Sequence, residues 1–429
     1  MSKNSSDWKS FSFRLDFDPN ALKDELVRIE AYRLSLQQLI LPQEWQADLQ
    51  RLFIVRSVHG TTAIEGNPLT EEEVSRQLRQ PDAAQALGDQ VLEAKKKLID
   101  ARLEEMSTKL GALNTLIQNQ DQVHRQTQNA YLAFQWVEKE FAHPRPITRN
   151  DLCALHELLT SGSDHRDNAP GRLRESGHDV TVGSPQLGGV HRAPPGGLTL
   201  RRLVDDYLRF INSPRFHEQH TVIQALAAHF YFVTIHPFGD GNGRTTRCIE
   251  AAILHGGGFN TYGFYSLSNF FYRNRDDYFR LLQETRTKDR YDLTRFLLFG
   301  VRGFREELDR INAYVRNRTH RLHYRELIRR CVEKRVGKRR RLLNTREGEL
   351  LHRILNHTNP ADPFSSDPTH VLGGADVLKI ARPLYARRTP RTVVRELIRL
   401  KELGFLSIQF ADEIEQWKFE ISFEAIARY

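Results

Sequence analysis

Hydrophobic positions along most of the chain recur every three or four residues, which is the spacing of amphipathic helices. This pattern predicts helices over 22–36, 43–58, 130–141, 151–159, 202–211, 222–233 and 292–308. The segment 161–197 interrupts the pattern because it is rich in Gly, Pro, Asp and His, and within it 178–182 alternates like a short strand. We therefore predict a mainly α fold, an all-helical core with one short β-hairpin.

The C-terminal part, 346–429, has a different order of elements. It contains predicted helices over 347–355 and 375–381 and a third that begins with Thr389-Pro390 and ends at Gly404. Two short alternating segments follow, at 405–410 and 416–423. Three helices followed by a hairpin is the order of a winged helix, so this part predicts an α+β domain of that type.

Four regions follow from these patterns. We predict an N-terminal helical region over 1–125 with a polar helical insert at about 83–118, a core over 126–310, a basic helical linker over 311–345 and the C-terminal domain over 346–429. Between Val315 and Arg341 there are twelve Lys or Arg and two Glu residues, an excess that surpasses the net charge of +9 of the whole chain. Such a run indicates either a solvated helix face or a nucleic-acid contact.

Composition excludes several classes of protein. Hydrophobic residues make up 39% of the 429 residues, which is enough for a core and excludes a wholly disordered chain. The three cysteines, Cys153, Cys248 and Cys331, are far apart, so a disulfide scaffold or a structural zinc site is not expected. No apolar run reaches the about 18 residues of a membrane span. Residues 1–17 lack the apolar stretch of a signal peptide, and we expect a cytoplasmic protein.

One glycine-rich segment carries candidate chemistry. Segment 235–247, Ile-His-Pro-Phe-Gly-Asp-Gly-Asn-Gly-Arg-Thr-Thr-Arg, lies between two apolar helical segments. Its glycines allow consecutive backbone N–H groups to converge on an anion, and the start of the next helix adds a partial positive charge. Arg244 and Arg247 lie one turn apart, so both guanidinium groups can reach phosphate oxygens. The segment therefore indicates a loop that binds the phosphates of a nucleotide.

Two further side chains of this segment supply what a nucleotidyl transfer needs. Asp240 is a hard carboxylate suited to Mg²⁺ that bridges phosphates. His236 precedes the loop and can act as the general base for an incoming hydroxyl. Taken singly, a histidine before a turn usually packs or caps, and helix arginines are commonly surface charges. Their occurrence together within twelve residues favours the catalytic hypothesis.

The segment fits the pattern HxFx(D/E)GNGRxxR at every specified position, and it resembles the signature of the Fic family. The resemblance implies an all-helical core and transfer of AMP from ATP to a hydroxyl of a target protein. It implies that His236 deprotonates the target Ser, Thr or Tyr, that Asp240 holds Mg²⁺ and that Phe238 anchors the loop. The loop positions expected to bind the nucleotide are Gly239, Asp240, Gly241, Asn242, Gly243, Arg244 and Arg247.

Flanking segments extend the resemblance. The segments 171–174 and 180–182 resemble the family's flap, a hairpin that pairs with an extended target segment. A later stretch that begins at Asn274 resembles the helix start near the adenine pocket, with Phe279 in place of a common second Tyr. Asn274 and Tyr278 are therefore candidate nucleotide contacts, and the alternative is a helix cap and a core residue.

Upstream, segment 61–67, Thr-Thr-Ala-Ile-Glu-Gly-Asn, resembles the family's inhibitory motif (S/T)xxxE(G/N). On a helix over about 57–67, Thr61 and Glu65 share one face. The resemblance implies that Glu65 pairs with Arg247 and occupies the room that the γ-phosphate of ATP needs. The alternative is a plain surface carboxylate at a helix end.

The third helix of the C-terminal domain carries a group of cations. They are Arg387, Arg388, Arg391, Arg395, Arg399 and Lys401. In a winged helix this position meets the DNA backbone, although such domains also dock proteins and leave their basic residues solvated. Both interpretations stay open.

The sequence thus predicts an autoinhibited, Mg²⁺-dependent protein adenylyltransferase that uses ATP and modifies a hydroxyl side chain of a target protein, or its own. One alternative is a de-AMPylase that uses the same site, with Glu65 positioning water. Another is a DNA-binding regulator in which the core senses nucleotide. A homodimer in which a neighbouring subunit modulates inhibition is a further expectation.

Overall fold

The computed structural model describes residues 8–38, 41–79, 122–259, 267–333, 341–358 and 371–429. These residues form two compact units, Met1–Glu307 and Leu308–Tyr429, and the predicted boundary at 310/311 falls close to this division. The predicted insert at 83–118 lies outside the described residues. Within the described ranges, no helix combines the length and the apolar character needed to cross a membrane.

The first unit is built almost entirely from helices, as the hydrophobic spacing predicts. They are α1 (Pro19–Gln38), α2 (Gln43–Ile64), α3 (Glu71–Leu78), α4 (Gln122–Glu140), α5 (Arg149–Thr160), α6 (Leu198–Ile211), α7 (Pro214–His217), α8 (Thr221–Ile235), α9 (Asn242–Gly256), α10 (Ser268–Arg273), α11 (Arg275–Thr287) and the beginning of α12 (Thr294–Glu333). Every residue of α8 from Val222 to Ile235 is buried, so the other helices surround α8. The signature segment begins at the C-terminal end of this buried helix.

Helix α2 packs closely on the backbone of α10. A side chain at Gly60 would place its Cβ 2.6 Å from the backbone N of Asn269, so only glycine permits this approach. The helix ends at Ile64, and Glu65 follows as its C-cap. The predicted helix over 57–67 is therefore the last part of α2 and ends three residues earlier than expected, but Thr61 and Glu65 still lie on the side that faces the core.

The predicted hairpin is present. Strand β1 (Thr181–Ser184) pairs antiparallel with β2 (Gly189–Arg192), with Thr181 opposite Arg192, and a single 3-10 turn over 185–187 connects them. The structure corrects one detail, because the strand predicted over 178–182 begins at Thr181 and continues through Ser184. The turn begins at Pro185, whose fixed φ suits the first position of a helical turn.

The second unit has its own core. After the end of α12, its elements are α13 (Thr345–His357), β3 (Val371–Gly373), α14 (Gly374–Ala381), α15 (Pro390–Glu402), β4 (Leu406–Gln409), β5 (Lys418–Ile421) and α16 (Glu424–Arg428). The strands form an antiparallel sheet in the order β3-β5-β4. Leu397 and Leu400 of α15 are buried together with Phe419 of β5. The predicted order of three helices and a hairpin is found, β3 was not foreseen, and a winged-helix domain stays a prediction.

Candidate active site

The signature segment forms a tight loop between the end of α8 and the start of α9. His236 ends α8 in a left-handed conformation (φ 47°), and Gly241 precedes α9 in the same region (φ 72°). The Asn242 side chain closes the loop on itself: its Oδ1 accepts from the Phe238 backbone N at 2.9 Å and its Nδ2 donates to the Phe238 carbonyl at 2.8 Å. The Asn242 amide therefore shapes the loop, while its backbone belongs to the first turn of α9.

A buried histidine of α5, His156, packs against the loop and bonds to it. The His156 ring stacks on the Phe238 ring with centroids 3.8 Å apart and planes 4° from parallel. Its Nδ1 accepts from the Gly171 backbone N at 3.0 Å, so the ring proton lies on Nε2, which donates to the Asp240 carbonyl at 2.8 Å. Burial lowers the pKa of His156 to about 4, and the ring is neutral at physiological pH. Sequence analysis missed this residue, because a lone histidine on an apolar helix carries no recognisable pattern.

Arg174 supports the other end of the loop. Its Nε donates to the His236 carbonyl at 2.9 Å and its Nη2 to the Pro194 carbonyl at 2.9 Å. A cation at the C-terminus of a helix stabilises the free carbonyls there. The segment 171–174, predicted to be part of the flap, thus contacts the loop, and the hairpin itself is 181–192.

Most of the predicted residues line one cavity of about 480 Å³. Its lining includes Glu65, His236, Gly239, Asp240, Gly241, Asn242, Gly243, Arg247 and Tyr278, together with residues of the hairpin and of α11. Three predicted residues lie outside this lining. Thr61 is fully buried behind it, Arg244 is buried and binds the Asp240 carboxylate at 2.9 Å, and Asn274 donates its side-chain amide to the Phe270 carbonyl.

The Arg247 side chain is held by the end of α2. Its Nη2 lies 2.6 Å from Oε1 of Glu65 and 3.0 Å from the Thr61 carbonyl, and its Nε donates to Oγ1 of Thr61 at 2.7 Å. A Cβ added at Gly243 would lie 2.1 Å from the same Glu65 oxygen. The carboxylate therefore rests against the first turn of α9, where unpaired N–H groups and the helix dipole favour an anion.

The candidate base His236 is strongly biased toward its neutral form. Burial first, and then the positive charges of Arg174 and Arg286, lower its pKa to about 3. A neutral imidazole has a free lone pair, so His236 can accept a proton throughout the physiological pH range.

Tyr278 is both a core residue and part of the cavity lining. Its hydroxyl lies 2.8 Å from Nε2 of His229, whose Nδ1 lies 2.7 Å from the Glu250 carboxylate. Because the carboxylate accepts a proton donated by Nδ1, Nε2 is the acceptor of the Tyr278 hydroxyl. Burial lowers the pKa of His229 and raises the pKa of Tyr278, so both rings are neutral at physiological pH. The hydrogen-bonded chain through His229 to Glu250 holds Tyr278 in place.

A magnesium ion fits this site only together with a nucleotide. In the part of the chain that the structure describes, no cluster of three or more His, Cys, Asp or Glu side chains could hold a metal. Asp240 lines the cavity, and one of its carboxylate oxygens is bound by Arg244. Mg²⁺ is commonly held by one or two carboxylates plus substrate phosphates, and a single carboxylate beside an anion-binding loop meets that requirement.

Comparison with known proteins agrees with this geometry. The family model described as Fic/DOC family matches residues 146–254. The proteins named protein adenylyltransferase Fic from Drosophila ananassae and Drosophila grimshawi are each 29% identical over 136 residues, 32% of this chain, and the match spans about a quarter of their length. A Fic family protein from Desulfovibrio desulfuricans G20 superposes with a TM-score of 0.50 over 96% of this chain and 98% of that chain, and at 18% identity it shows a shared fold alone. The chain therefore carries a Fic/DOC domain, which holds the loop and helix α9 just described.

Proposed function

We propose that this chain is an autoinhibited protein adenylyltransferase that transfers AMP from ATP to a Ser, Thr or Tyr hydroxyl of a target protein, itself included. The observation that carries the proposal is the contact of Glu65 with Arg247 and Gly243. It supports an anion-binding role for the start of α9, next to a neutral histidine in the same cavity. The names of the Drosophila relatives support adenylyl transfer as the reaction.

Each residue has a role in this reaction. The backbone at Gly241 and Gly243, with Arg247, binds the phosphates of ATP at the start of α9. His236 accepts the proton of the target hydroxyl as its oxygen bonds to the α-phosphorus and the bond to pyrophosphate breaks. Asp240 would hold Mg²⁺, which offsets phosphate charge when bound.

The hairpin provides a place for the target. Strands β1 and β2 pair only with each other among the described strands, so the outer backbone edge of each lacks a strand partner there. A target segment that adds as a further strand is held by main-chain hydrogen bonds, with little demand on its sequence. This places a hydroxyl of the segment beside the cavity that His236 lines.

Inhibition follows from the same contacts. As long as Glu65 binds Arg247 and lies against Gly243, the terminal phosphate of ATP meets a carboxylate where it needs a cation. The two like charges repel, and the α-phosphate is not presented to His236. Activity requires that the end of α2 moves away.

Two other functions have a specific observation in their favour. The Glu65 carboxylate lines the cavity and is 38% exposed, so it can also orient water for removal of AMP from a modified target. In the second unit, Arg391 and Arg395 of α15 are exposed and make no ion pair with a described carboxylate, which suits contact with DNA phosphates. In that function the core would sense nucleotide.

The test is incubation of the Glu65→Gly protein with Mg²⁺ and either α-³²P-ATP or γ-³²P-ATP, with the Glu65→Gly/His236→Ala double variant alongside. We expect label from the α position alone, and a loss of at least about 100-fold in the double variant because the general base is missing. Label that survives in the double variant removes His236 from this role. Nucleotide binding without any label from the α position contradicts adenylyl transfer, and DNA binding that responds to nucleotide would then favour the regulator.

A further inference from the structure

A second arginine lines the cavity beside Arg247, and neither the signature nor the inhibitory motif accounts for it. Arg286 lies in the last turn of α11, and its Nε donates to Oγ1 of Thr234 at 3.0 Å. Its guanidinium carbon lies 5.9 Å from the centre of the Phe230 ring. Burial lowers the pKa of Arg286 to about 10, so the side chain still carries its charge at neutral pH.

No carboxylate of the described residues neutralises this charge. The neighbours that act on the Arg286 charge are the phenols of Tyr278 and Tyr291, which are neutral at physiological pH. The two signature arginines differ, because Arg247 binds Glu65 and Arg244 binds Asp240. A cation that is largely removed from water without a partner is costly, and a bound anion would remove that cost.

The position of Arg286 specifies where the anion would lie. Thr234, which fixes the guanidinium, precedes His236 by two residues, and its carbonyl accepts from Nε2 of His191 on β2 at 2.8 Å. One turn earlier on α11, Gln283 donates to the Val190 carbonyl of the same strand at 3.3 Å. Arg286 therefore lies between the candidate base and the flap.

We propose that Arg286 binds an anionic oxygen of a substrate on the His236 side of the cavity, separately from the anion site at the start of α9. The inference rests on the proposed function for the identity of the substrates. Two sources bring such an oxygen to this place, the α-phosphate of the nucleotide and an acidic side chain of the target segment on the flap. Both satisfy the guanidinium with charge-assisted hydrogen bonds.

The first experiment compares binding of AMP and of adenosine by calorimetry to the Glu65→Gly protein with and without Arg286→Met. If Arg286 binds the α-phosphate, the affinity for AMP falls by about tenfold or more and that for adenosine is unchanged, because only AMP carries the phosphate. Lys288→Met is the matched control, since it removes one charge from an exposed position at the end of α11. Arg286→Lys keeps the charge and should retain part of the affinity.

The second experiment uses the same variants and α-³²P-ATP, and it separates label on the protein from AMP released to water. An equal fall in both products, together with the loss of AMP affinity, identifies the α-phosphate as the ligand. A fall in protein label alone, with AMP binding intact, identifies an acidic group of the target segment. If Arg286→Met changes neither AMP affinity nor labelling, the proposal is wrong. The calorimetric comparison of AMP and adenosine needs no transfer activity. The role of Arg286 and the proposed adenylyl transfer can therefore each be rejected without the other.

Discussion

The cavity is lined by residues of α9, which include Arg247, and by residues of α11, which include Arg286. We call these the α9 wall and the α11 wall, and their arginines differ in whether a carboxylate binds them. On the α9 wall, Arg247 already has an anion, because Glu65 reaches it from 182 residues upstream. On the α11 wall, Arg286 has no carboxylate partner among the described residues. The first wall is thus occupied by the protein itself, and the second is left for a substrate. Under the proposed autoinhibition, activity therefore depends on moving a part of the chain away from Arg247.

The two partners of the ion pair on the α9 wall differ strongly in exposure. Arg247 is 1% exposed and Glu65 is 38% exposed. Pulling Arg247 out would expose a buried cation and open the core, whereas Glu65 lies just beyond the end of α2 and is followed by Gly66 with φ 93°. We therefore expect the end of α2, and not Arg247, to move if the pair opens. Arg275 also holds this end through a bond from its Nε to the Ile64 carbonyl at 3.3 Å.

The largest effect is expected from removal of the carboxylate that binds Arg247, because this arginine then lacks a carboxylate partner, as Arg286 does. Glu65→Gly frees Arg247 from its carboxylate partner for the terminal phosphate of ATP. The isosteric Glu65→Gln removes the negative charge but keeps an amide oxygen that accepts from Arg247, so we expect a smaller effect from it. A hydrogen bond to a charged group contributes about 1.5–3 kcal/mol, which corresponds to about a 10- to 100-fold rise in initial rate. The measurement is label transferred from α-³²P-ATP at saturating nucleotide.

The control is Glu72→Gln on α3, a carboxylate that is 85% exposed and paired with Arg76. It should leave the rate unchanged. The Glu65 variants should also melt at a lower temperature without nucleotide, because a buried arginine loses its partner, and regain stability with ADP. A Glu65 variant that is as slow as the parent, with ATP binding intact, contradicts the inhibitory role.

The parts of this site that could be predicted from sequence are local. The loop, the start of α9 and the residues that line the cavity at 236–243 lie within a dozen consecutive residues, so their spacing alone predicts an anion site. The contact between Glu65 and Arg247 joins two helices, and spacing does not predict it. It was expected only because a short motif resembles that of a family, and the described geometry agrees with that expectation.

Other residues escaped prediction for a physical reason. His156 and Arg286 act from distant elements through a stacked ring, hydrogen bonds or a charge, and such contacts have no periodic pattern in the sequence. Arg174 lies in the segment predicted as part of the flap, but its hydrogen bond to the His236 carbonyl was not expected. Arg286 lies in a polar, charged stretch that looks like a solvated surface. Only the folded arrangement shows that its side chain lines the cavity.

The basic run belongs to a longer helix than the hydrophobic pattern alone predicts. The pattern predicts a helix that ends near 308 and a separate basic helical linker over 311–345, whereas α12 runs unbroken from Thr294 to Glu333. Lys and Arg are good helix formers, so a dense run of them extends a helix without an apolar stripe of ordinary width. Buried residues such as Tyr324 and Leu327 supply the core contacts of this part.

A second prediction concerns pH and the uncompensated charge on the α11 wall. Burial and the charges of Arg174 and Arg286 depress the pKa of His236 to about 3, so lowering the pH from 8 to 5.5 leaves the base deprotonated. We expect the labelling rate of the Glu65→Gly protein to change by less than about twofold over this range. A histidine with the ordinary pKa would be only about 10% neutral at pH 5.5. Arg286→Met removes one of the charges that lower the pKa of His236, so the pH below which the labelling rate falls should move upward. A labelling rate of the Glu65→Gly protein that falls with a midpoint near pH 6.5 would show that His236 is not held neutral.

The smallest effect is expected from substitution of Thr61, whose uncharged hydroxyl accepts a hydrogen bond from Arg247. Thr61→Val keeps the shape of a fully buried side chain but removes the Oγ1 acceptor that lies 2.7 Å from Nε of Arg247. Glu65 and the Thr61 carbonyl remain as partners of Arg247, so this side chain is held less firmly but keeps its bound carboxylate. One neutral hydrogen bond contributes about 0.5–1.5 kcal/mol, so the labelling rate should rise about two- to tenfold, well below the effect of Glu65→Gly. In the Glu65→Gly background the same substitution should add little, because the inhibitory carboxylate is already absent. An equally large gain in both backgrounds would mean that Thr61 acts on catalysis by a route other than its hold on Arg247.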